Sequence, residues 1–164
     1  MRVVSWNLFG LESEHLDERT EAAIFRMLLG GDVESALLGG PVPDPPEVLL
    51  LQEVVERTWF AHLRPHLTAA GYTLFPTELP ARNYFEVIAV RGVPTSRSRL
   101  RRFERTGQGR HLLRVDLTLD SGPLSIFTAH LESLKPSREV RIEQAHEVFG
   151  ALLSCERAIF GGDT

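Results

Sequence analysis

Cysteine and long apolar runs are scarce in this sequence. Cys155 is the only cysteine in 164 residues, which excludes an intramolecular disulfide and a zinc site built from cysteine pairs. No apolar run approaches the roughly 18 residues that a membrane-spanning helix needs, and no basic-then-apolar leader opens the chain. From these absences we expect a protein of the reducing cytoplasm that has no membrane anchor.

An overall excess of basic residues is also missing. The net charge is −4, whereas a domain that binds nucleic acid without regard to its sequence is usually basic. The arginines are nevertheless concentrated, because eight of them and a single acid, Glu104, lie in the segment from Arg91 to Arg114. This segment is either a solvated loop and strand edge or a surface that faces phosphate groups, and the sequence leaves both interpretations open.

Short apolar runs alternate with segments of helical period, an order that is typical of an α/β chain. Strands are predicted at 3–6, 48–51, 72–75, 85–90, 112–119, 124–129 and 158–160, and helices at 17–29, 57–70 and 137–153. The turn at 121–123 makes a hairpin of the strands around it, which favours mixed sheets over all-parallel ones. The Gly- and Pro-rich segment 30–46 is predicted to be a surface loop inside one domain that covers 1–164.

Three local features of the helices follow from residue types. Asp17 is predicted to be the N-cap of the first helix because its carboxylate can accept hydrogen bonds from free backbone N–H groups. Pro65 predicts a break or kink in the second helix. In the third helix, the apolar residues share a face that we expect to point inward, namely Ile142, Ala145, Phe149, Leu152 and Leu153.

A polar residue that can do chemistry follows the end of four predicted strands: Asn7, Glu53, His130 and Asp163. Taken singly, such residues are more often helix caps or hydrogen-bonded structural groups, so the prediction depends on the four occurring together. Sites in layered α/β folds form where strand ends meet. We therefore expect these side chains to converge on one pocket.

The chemistry of these four residues is coherent. Asn7, Glu53 and Asp163 offer hard oxygen ligands, which favour Mg²⁺ or Mn²⁺ over zinc. His130 can donate to a phosphate oxygen or to a leaving group, and Asp163 can orient or deprotonate the attacking water. The pattern predicts metal-assisted hydrolysis of a phosphoester.

Four ordered blocks carry a resemblance to a known superfamily. They are Ser5-Trp6-Asn7, Leu51-Gln52-Glu53-Val54, Thr128-Ala129-His130-Leu131-Glu132-Ser133 and Gly161-Gly162-Asp163-Thr164. These blocks resemble the signature blocks of the endonuclease/exonuclease/phosphatase superfamily, and they span nearly the whole chain. The resemblance implies a deoxyribonuclease I-like fold, which is a four-layer α/β/β/α sandwich with mixed sheets, and a Mg²⁺-dependent hydrolase.

Details of the blocks resemble the 5′-tyrosyl-DNA phosphodiesterase branch, which implies removal of tyrosine adducts from DNA 5′ ends. The resemblance implies that Glu53 binds the metal and that Asn7 supports it or holds its water. It also implies that His130 contacts phosphate and that Asp163 acts as general base. The substrate side, which we expect to bind DNA, would be formed by Tyr84, Arg110, Ser133 and Arg141.

Two departures from that branch bear on activity. Phe9 stands where the branch tends to carry an aspartate, and a phenylalanine cannot bind a metal. The sequence ends at Thr164, before the next block of the superfamily pattern, so we expect an incomplete domain that supplies most of one half of the sandwich. The apolar faces of 3–6, 48–51 and 124–129 would then be exposed, which predicts self-association and little activity from the chain alone.

Two alternative functions stay open. A phosphatase or phospholipase of the same superfamily, similar to a sphingomyelinase, would act on a small or lipid substrate. A non-catalytic half-domain or gene fragment would need a partner polypeptide or its missing C-terminal part. The arginine cluster favours DNA as the substrate, whereas the net charge of −4 and Phe9 favour the first alternative.

Overall fold

The computed structural model describes residues 1–29, 38–40 and 44–164, which contain both strands and helices. The strands are β1 (Val3–Asn7), β2 (Val48–Val55), β3 (Tyr72–Phe75), β4 (Tyr84–Arg91), β5 (Thr95–Arg102), β6 (His111–Leu119), β7 (Gly122–His130) and β8 (Ala158–Asp163). The helices are α1 (Leu16–Leu28), α2 (Glu56–Thr58, a π-helical turn at Trp59–Leu63, and Arg64–Ala69) and α3 (Arg138–Leu153), which follows a 3₁₀ turn at Lys135–Ser137. Most of the predicted loop at 30–46 lies outside the described residues.

The strands form two four-stranded sheets. The first sheet has the order β1-β2-β4-β3 and the second has the order β5-β6-β7-β8. Each contains one parallel pair, β1 with β2 and β7 with β8, while the other neighbours are antiparallel. The predicted mixed sheets are confirmed.

The two sheets pack face to face around one apolar core. Leu50 and Ile88 of the first sheet and Val115 and Ile126 of the second belong to this core, and each is fully removed from solvent. Strand residues alternate between faces, so Leu49 points to the other side of the first sheet and packs beneath its helices. Burial on both faces explains why 48–51 is a continuous apolar run.

The expectation of exposed sheet faces is wrong for 48–51 and 124–129. Residues 48–51 are completely buried, and the segment at 124–129 is buried throughout apart from a few per cent of Leu124 and Ser125. The chain supplies four strands to each sheet, not most of one half, and the sheets cover each other. The edge strands of the two sheets are β1, β3, β5 and β8. Of these, β1 and β8 are half-buried and have no further strand beside them among the described residues.

Helices form the two outer layers and complete the predicted α/β/β/α order. Met27 of α1 and Leu63 of α2 are buried against the first sheet. Val148 of α3 is buried against Phe127 of the second sheet. Among the described residues, no helix combines the length and apolar character that crossing a membrane requires.

The inward face of α3 differs from the prediction. Ile142, Phe149 and Leu153 are exposed, the last by 86%, while Gln144 is completely buried. The amide of Gln144 is needed inside because its oxygen accepts a hydrogen bond from Glu132 N and its nitrogen donates to the carbonyl of Arg105. Ala145 and Leu152 do pack against the second sheet as predicted, beside the buried Val148. The buried face of the helix therefore combines these apolar residues with Gln144, which satisfies backbone groups.

The two other helices differ in detail from the sequence prediction. Asp17 is not the N-cap of α1, because the helix begins one residue earlier and His15 caps it in the left-handed conformation. The carboxylate of Asp17 instead accepts from Arg57 and lies 3.1 Å from His62 Nε2. The predicted irregularity at Pro65 is confirmed, since a π-helical turn precedes it and accommodates the missing N–H and the bulky ring.

The edge strand β5 was not predicted from the sequence. Its residues are mostly exposed arginine and serine, so it lacks an apolar alternation, and it is held by the backbone ladder to β6. Much of the arginine cluster is therefore a solvated strand edge. This is the first of the two interpretations of the segment from Arg91 to Arg114; the second was a surface that faces phosphate groups. Three of its arginines are ion-paired within the chain, namely Arg101 with Glu147, Arg105 with Glu143 and Arg114 with Asp116.

A glycine in β8 allows a close approach of two backbones beside the site. A Cβ at Gly162 would lie 2.3 Å from the carbonyl oxygen of Ala129 in β7. We expect Gly162→Ala to lower the free energy of unfolding by about 1–3 kcal/mol, because the backbone of β7 must move. Gly150→Ala is the matched control: nothing lies within 4 Å of its added methyl group, so it should raise stability by about 0.5–1 kcal/mol in the helix. Urea denaturation measures both, and equal midpoints would contradict the packing described.

Candidate active site

Four of the predicted residues meet at one end of the sandwich. The parallel register sets Asn7 beside Gln52 in the first sheet and His130 beside Asp163 in the second. Because the sheets lie face to face, these strand ends share one edge of the molecule. Ligand atoms of Glu53, His130 and Asp163 all lie within 4.8 Å of one another. The predicted convergence is present in the structure.

Glu53 reaches the site through an irregularity in β2. Pairing with β4 shifts between Leu51 and Val54, and Glu53 has a positive φ of 54°, which is uncommon for a residue other than glycine. A Cβ on Gly10 would lie 2.1 Å from the carbonyl oxygen of Glu53, so the loop after β1 can pass this close to Glu53 only with glycine at position 10. The Glu53 side chain is almost buried, and its Oε2 has no hydrogen-bond partner.

Asn7 holds Asp163. Its Nδ2 donates to Asp163 Oδ2 over 2.5 Å, and its Oδ1 accepts from Phe9 N over 2.8 Å. Both ends of the amide are therefore occupied, which fixes which end faces the carboxylate. Asp163 is the most open member of the site, with 45% of its side chain exposed.

His130 lies between the two carboxylates. Its Nδ1 is 3.3 Å from Glu53 Oε1 without forming a hydrogen bond, and its Nε2 is 3.7 Å from Asp163 Oδ2 and 3.4 Å from Ser133 Oγ. Burial, assisted by the positive charge of Arg110, lowers the pKa of His130, and the two carboxylates only partly oppose this shift. The imidazole is therefore neutral at neutral pH.

Arg110 and Tyr84 form the adjoining wall. The Arg110 guanidinium is only 1% exposed, and its carbon lies 4.9 Å from the centre of the Tyr84 ring. One of its nitrogens donates to Ser133 Oγ over 2.7 Å and to Gln108 Oε1 over 2.9 Å. The other terminal nitrogen, Nη1, is buried without a partner. A buried donor without an acceptor is costly, so Arg110 is well placed to bind an acceptor oxygen of a ligand.

Ser133 and Arg141 line one cleft with His130 and Asp163. Nη1 of Arg141 donates to the carbonyls of Glu132 and Leu134, each over 2.9 Å. In the described structure, Arg141 thus stabilises the backbone after His130. Its role in substrate binding stays a prediction.

Sequence reasoning missed three residues around this site. The Arg82 guanidinium also lies over the Tyr84 ring, at 5.5 Å from its centre, and pairs with the fully buried Glu86. Burial raises the pKa of Glu86, although Arg82 opposes the shift. Glu132 is buried as well and accepts hydrogen bonds from the loop before Arg110. Arg82 lies just before β4 and Glu86 lies within it, and this spacing carries no signal in the sequence. Glu132 lies inside one of the four sequence blocks, without a role of its own.

The donor set fits a divalent cation. Glu53 Oε2 is a buried carboxylate oxygen without a hydrogen-bond partner, which is costly unless a cation or ligand is bound. Asp163 offers a second carboxylate within reach. Carboxylates with room for water and a phosphate are the ligands that Mg²⁺ uses in phosphoryl enzymes. Oxygens of Glu53 and Asp163 would hold the ion, with His130 as the nearest nitrogen.

Comparison with curated sequences gives two relatives, both of them tyrosyl-DNA phosphodiesterase 2. No protein-family profile matches the chain. The chain is 28% identical over 166 residues to tyrosyl-DNA phosphodiesterase 2 from Mus musculus and 27% identical over 166 residues to that from Rattus norvegicus. Both alignments cover 98% of this chain and 40% of the relative, so the chain spans less than half the length of these relatives.

Solved structures agree with the sequence comparison. A humanized D. rerio TDP2 superposes with a TM-score of 0.78 at 26% identity, covering 98% of this chain and 60% of that one. D. rerio TDP2 complexed with a single-strand DNA product gives a TM-score of 0.72 at 28% identity, covering 98% and 59%. ANGEL2, a 2′,3′-cyclic phosphatase, has a TM-score of 0.71 at 16% identity over 98% of this chain and 52% of its own, which shows a shared fold alone.

The face-to-face mixed sheets, the outer helices and the strand-end site agree with the resemblance to the endonuclease/exonuclease/phosphatase superfamily. Within that superfamily, the chain is similar in sequence and in fold to tyrosyl-DNA phosphodiesterase 2 over 98% of its residues. The resemblance inferred from the four sequence blocks is confirmed.

Glu53→Gln tests the metal site without an activity assay. The amide offers a neutral oxygen in place of the carboxylate, so we expect the affinity for Mn²⁺ to fall about tenfold or more, in line with loss of a charged ligand near the ion. Isothermal titration calorimetry measures the affinity, and Glu78→Gln, which removes an exposed carboxylate, should leave it unchanged. Equal loss in both variants would show nonspecific charge attraction and contradict a site at Glu53.

Proposed function

We propose that the protein carrying this chain is a Mg²⁺-dependent phosphodiesterase that acts at DNA 5′ ends, including 5′-tyrosyl adducts. The observation that carries this proposal is the meeting of Glu53, His130 and Asp163 within 4.8 Å, beside the buried guanidinium of Arg110. The name of the curated relatives and the DNA product bound to one of the similar structures support the substrate class. Since the chain spans 40% of those relatives, the activity of the whole protein is part of the proposal.

Each residue has a role in this mechanism. Glu53 and Asp163 would hold a metal ion, which would supply positive charge next to the phosphoryl oxygens. Asn7 orients Asp163 by donating to Oδ2, and the other Asp163 oxygen accepts the proton of the attacking water. The neutral His130 and the hydroxyl of Ser133 contact a phosphate oxygen. Arg110 Nη1 supplies a further donor to the substrate.

Tyr84 forms the aromatic part of the substrate side. The guanidinium groups of Arg110 and Arg82 lie 4.9 Å and 5.5 Å from the centre of its ring, and these cation–π contacts fix the orientation of the ring. A fixed aromatic face next to a phosphate site can stack on a nucleobase or on a tyrosyl ring without regard to sequence. Arg141 completes the substrate side of the cleft.

A specific observation favours a second candidate, a phosphatase or phospholipase acting on a small or apolar substrate. A cleft next to Asn7 is lined by Trp6 of β1, Phe9 of the loop after β1 and Phe25 of α1. Phe9 and Phe25 are each about half exposed there, which gives the cleft an apolar wall next to the proposed metal site. Three of the arginines that pointed to DNA are ion-paired within the chain, so the cluster supports DNA less than the sequence suggested.

Hydrolysis assays with Mg²⁺ separate these candidates. The assays use three substrates: a 5′-phosphotyrosyl oligonucleotide, bis-p-nitrophenyl phosphate and sphingomyelin. Each is incubated with the chain and with the longest polypeptide that its gene encodes. We expect His130→Ala and Asp163→Asn each to lower kcat/KM on the oligonucleotide by about 10²–10³-fold, because each removes a group that contacts the transition state. Asp120→Asn makes the same replacement at an exposed turn and should have no effect. Turnover of sphingomyelin alone would exclude DNA as the substrate.

Self-association is a further proposal about partners. The edges of β1 and β8 have no neighbouring strand among the described residues, and Phe149 and Leu153 of α3 are exposed. Open strand edges and apolar patches associate in water, so we expect the sedimentation coefficient of the 164-residue chain to rise with concentration. A single monomeric species at every concentration would contradict this.

If the chain also fails to turn over any substrate, a half-domain that needs further polypeptide is the better account. A cytoplasmic location stays a prediction.

A further inference from the structure

The segment between β5 and β6 carries Arg110 to the site and has no regular secondary structure. It is closed by a hydrogen bond from Phe103 N to the carbonyl of Arg110 over 3.2 Å. Its remaining donors need acceptors from elsewhere, because a buried N–H without a partner costs free energy. The loop 103–110 therefore takes its shape from the groups that it folds against.

Glu132 supplies the acceptors for this loop. The side chain is 2% exposed, and its Oε1 accepts from Thr106 Oγ1 over 2.6 Å and from Gln108 N over 2.8 Å. Thr106 Oγ1 in turn accepts from Arg110 N over 2.8 Å. One carboxylate oxygen thus fixes the start of the turn and, through one hydroxyl, the backbone of Arg110.

Gln108 extends the same network to the Arg110 side chain. Its Oε1 accepts from Arg110 Nη2 over 2.9 Å and from Ser133 N over 3.0 Å. Ser133 Oγ accepts from the same Arg110 nitrogen and lies 3.4 Å from His130 Nε2. The loop, the guanidinium and the residues after His130 are therefore joined in a closed ring of contacts.

Helix α3 anchors the backbone of Glu132 from the other side. Gln144 accepts from Glu132 N over 2.8 Å, and Arg141 donates to the carbonyl of Glu132 over 2.9 Å. Gln144 also donates to the carbonyl of Arg105 at the start of the turn. Hydrogen bonds from α3 thus fix the backbone of Glu132, and its carboxylate in turn fixes the loop 103–110.

We infer that Glu132 is a positioning residue for substrate binding, acting through Thr106 and Gln108 to set Arg110. With its other groups occupied, Arg110 keeps Nη1 buried and without a partner, aligned to donate to an acceptor oxygen of the substrate. That this oxygen belongs to a phosphodiester rests on the function proposed above. The effect of Glu132 on Arg110 does not rest on that function, because it is a property of the folded chain.

The Nε–H resonance of Arg110 in a ¹⁵N-correlated NMR spectrum tests this inference directly. In the wild type we expect a shifted, slowly exchanging signal, because the guanidinium is buried and Nε lies 3.3 Å from Gln108 Oε1; its loss in Arg110→Lys assigns it. Glu132→Ala should broaden or remove this signal while the backbone amide spectrum away from the loop is kept. Glu132→Gln should keep it, because both donors use a single oxygen that an amide also offers.

Two further variants keep the test decisive. Thr106→Val removes only the hydroxyl between Glu132 and Arg110 N, so it should shift the Arg110 signal even if Glu132→Ala does not fold. Glu139→Ala removes an exposed glutamate at the start of α3 and should leave the signal unchanged. An unchanged Arg110 signal in both Glu132→Ala and Thr106→Val would overturn the inference.

Kinetics with the 5′-phosphotyrosyl oligonucleotide give a second readout. Glu132→Ala should lower kcat/KM about tenfold or more, mainly by raising KM, which is the range for hydrogen bonds to a charged group. The double variant Glu132→Ala/Arg110→Ala should lose no more than Arg110→Ala alone, because the effect passes through Arg110. Additive losses, or a fall in kcat alone, would contradict the inference. Absence of turnover by the longest polypeptide that the gene encodes would refute the proposed function, and the NMR result would then decide the role of Glu132 by itself.

Discussion

The in-register parallel pairing at the ends of β1–β2 and β7–β8 is the constraint on which the site depends. Pairing of Asn7 with Gln52 and of His130 with Asp163 brings each pair to the same level at the end of its sheet. Face-to-face packing then sets the two ends against each other, and it is tied by a hydrogen bond of 2.9 Å from Gln52 Nε2 to Thr128 Oγ1. A slip of one residue in either pair would turn the functional side chains to the wrong face.

Beneath the site, the interface between the sheets changes from apolar to polar. Leu50, Ile88 and Ile126 fill its centre, whereas Gln52, Glu86 and Thr128, each two positions nearer the site, are buried polar residues. Buried polar groups need partners, and Gln52 satisfies its amide nitrogen on Leu50, Ser5 and Thr128. Polar side chains therefore bind the sheets together where the chemistry requires a fixed geometry.

Close backbone contacts are the second requirement of this end of the molecule. A Cβ on Gly161 would lie 2.7 Å from Leu50 Cδ1, so β8 can approach β2 only with glycine at this position. Gly10 has the same role beside the carbonyl of Glu53. Glycines in strands usually weaken them, and here they allow the approach that places Asp163 and Glu53 together. The block Gly161-Gly162-Asp163 thus has a packing reason for its two glycines.

Much of the fold and most of the site could be predicted from the sequence, because both depend on strands with strong apolar runs. Residues 48–51 and 124–129 stand out as buried strands, and the polar residue after each then marks the site. The edge strand β5 could not be predicted, since its arginines and serines carry no apolar alternation and its stability comes from backbone hydrogen bonds to β6. The rotation of α3 was missed because a buried amide, Gln144, outweighs three apolar side chains that stay exposed.

Glu132 and Glu86, which act through their contacts with arginines or loops, could not be predicted from the sequence because their roles depend on tertiary contacts. Glu132 and Glu86 have the residue type of surface charges, and only tertiary contacts show that they are buried and paired. Arg110 was recognised through resemblance to the superfamily and not from physical pattern, since it lies in a cluster of arginines that are mostly solvated. Partners of long sequence separation, such as Asn7 and Asp163, are set by topology and not by spacing.

The location of the metal is the most direct test of the account, because the proposed roles of Glu53, Asp163 and His130 depend on it. A crystal of the protein grown with Mn²⁺ gives an anomalous difference map that locates the ion independently of activity. The account predicts a peak about 2.1 Å from an oxygen of Glu53, with Asp163 as a second carboxylate ligand, directly or through water. An ion bound elsewhere, with Glu53 Oε2 still buried and free of any partner, would contradict it.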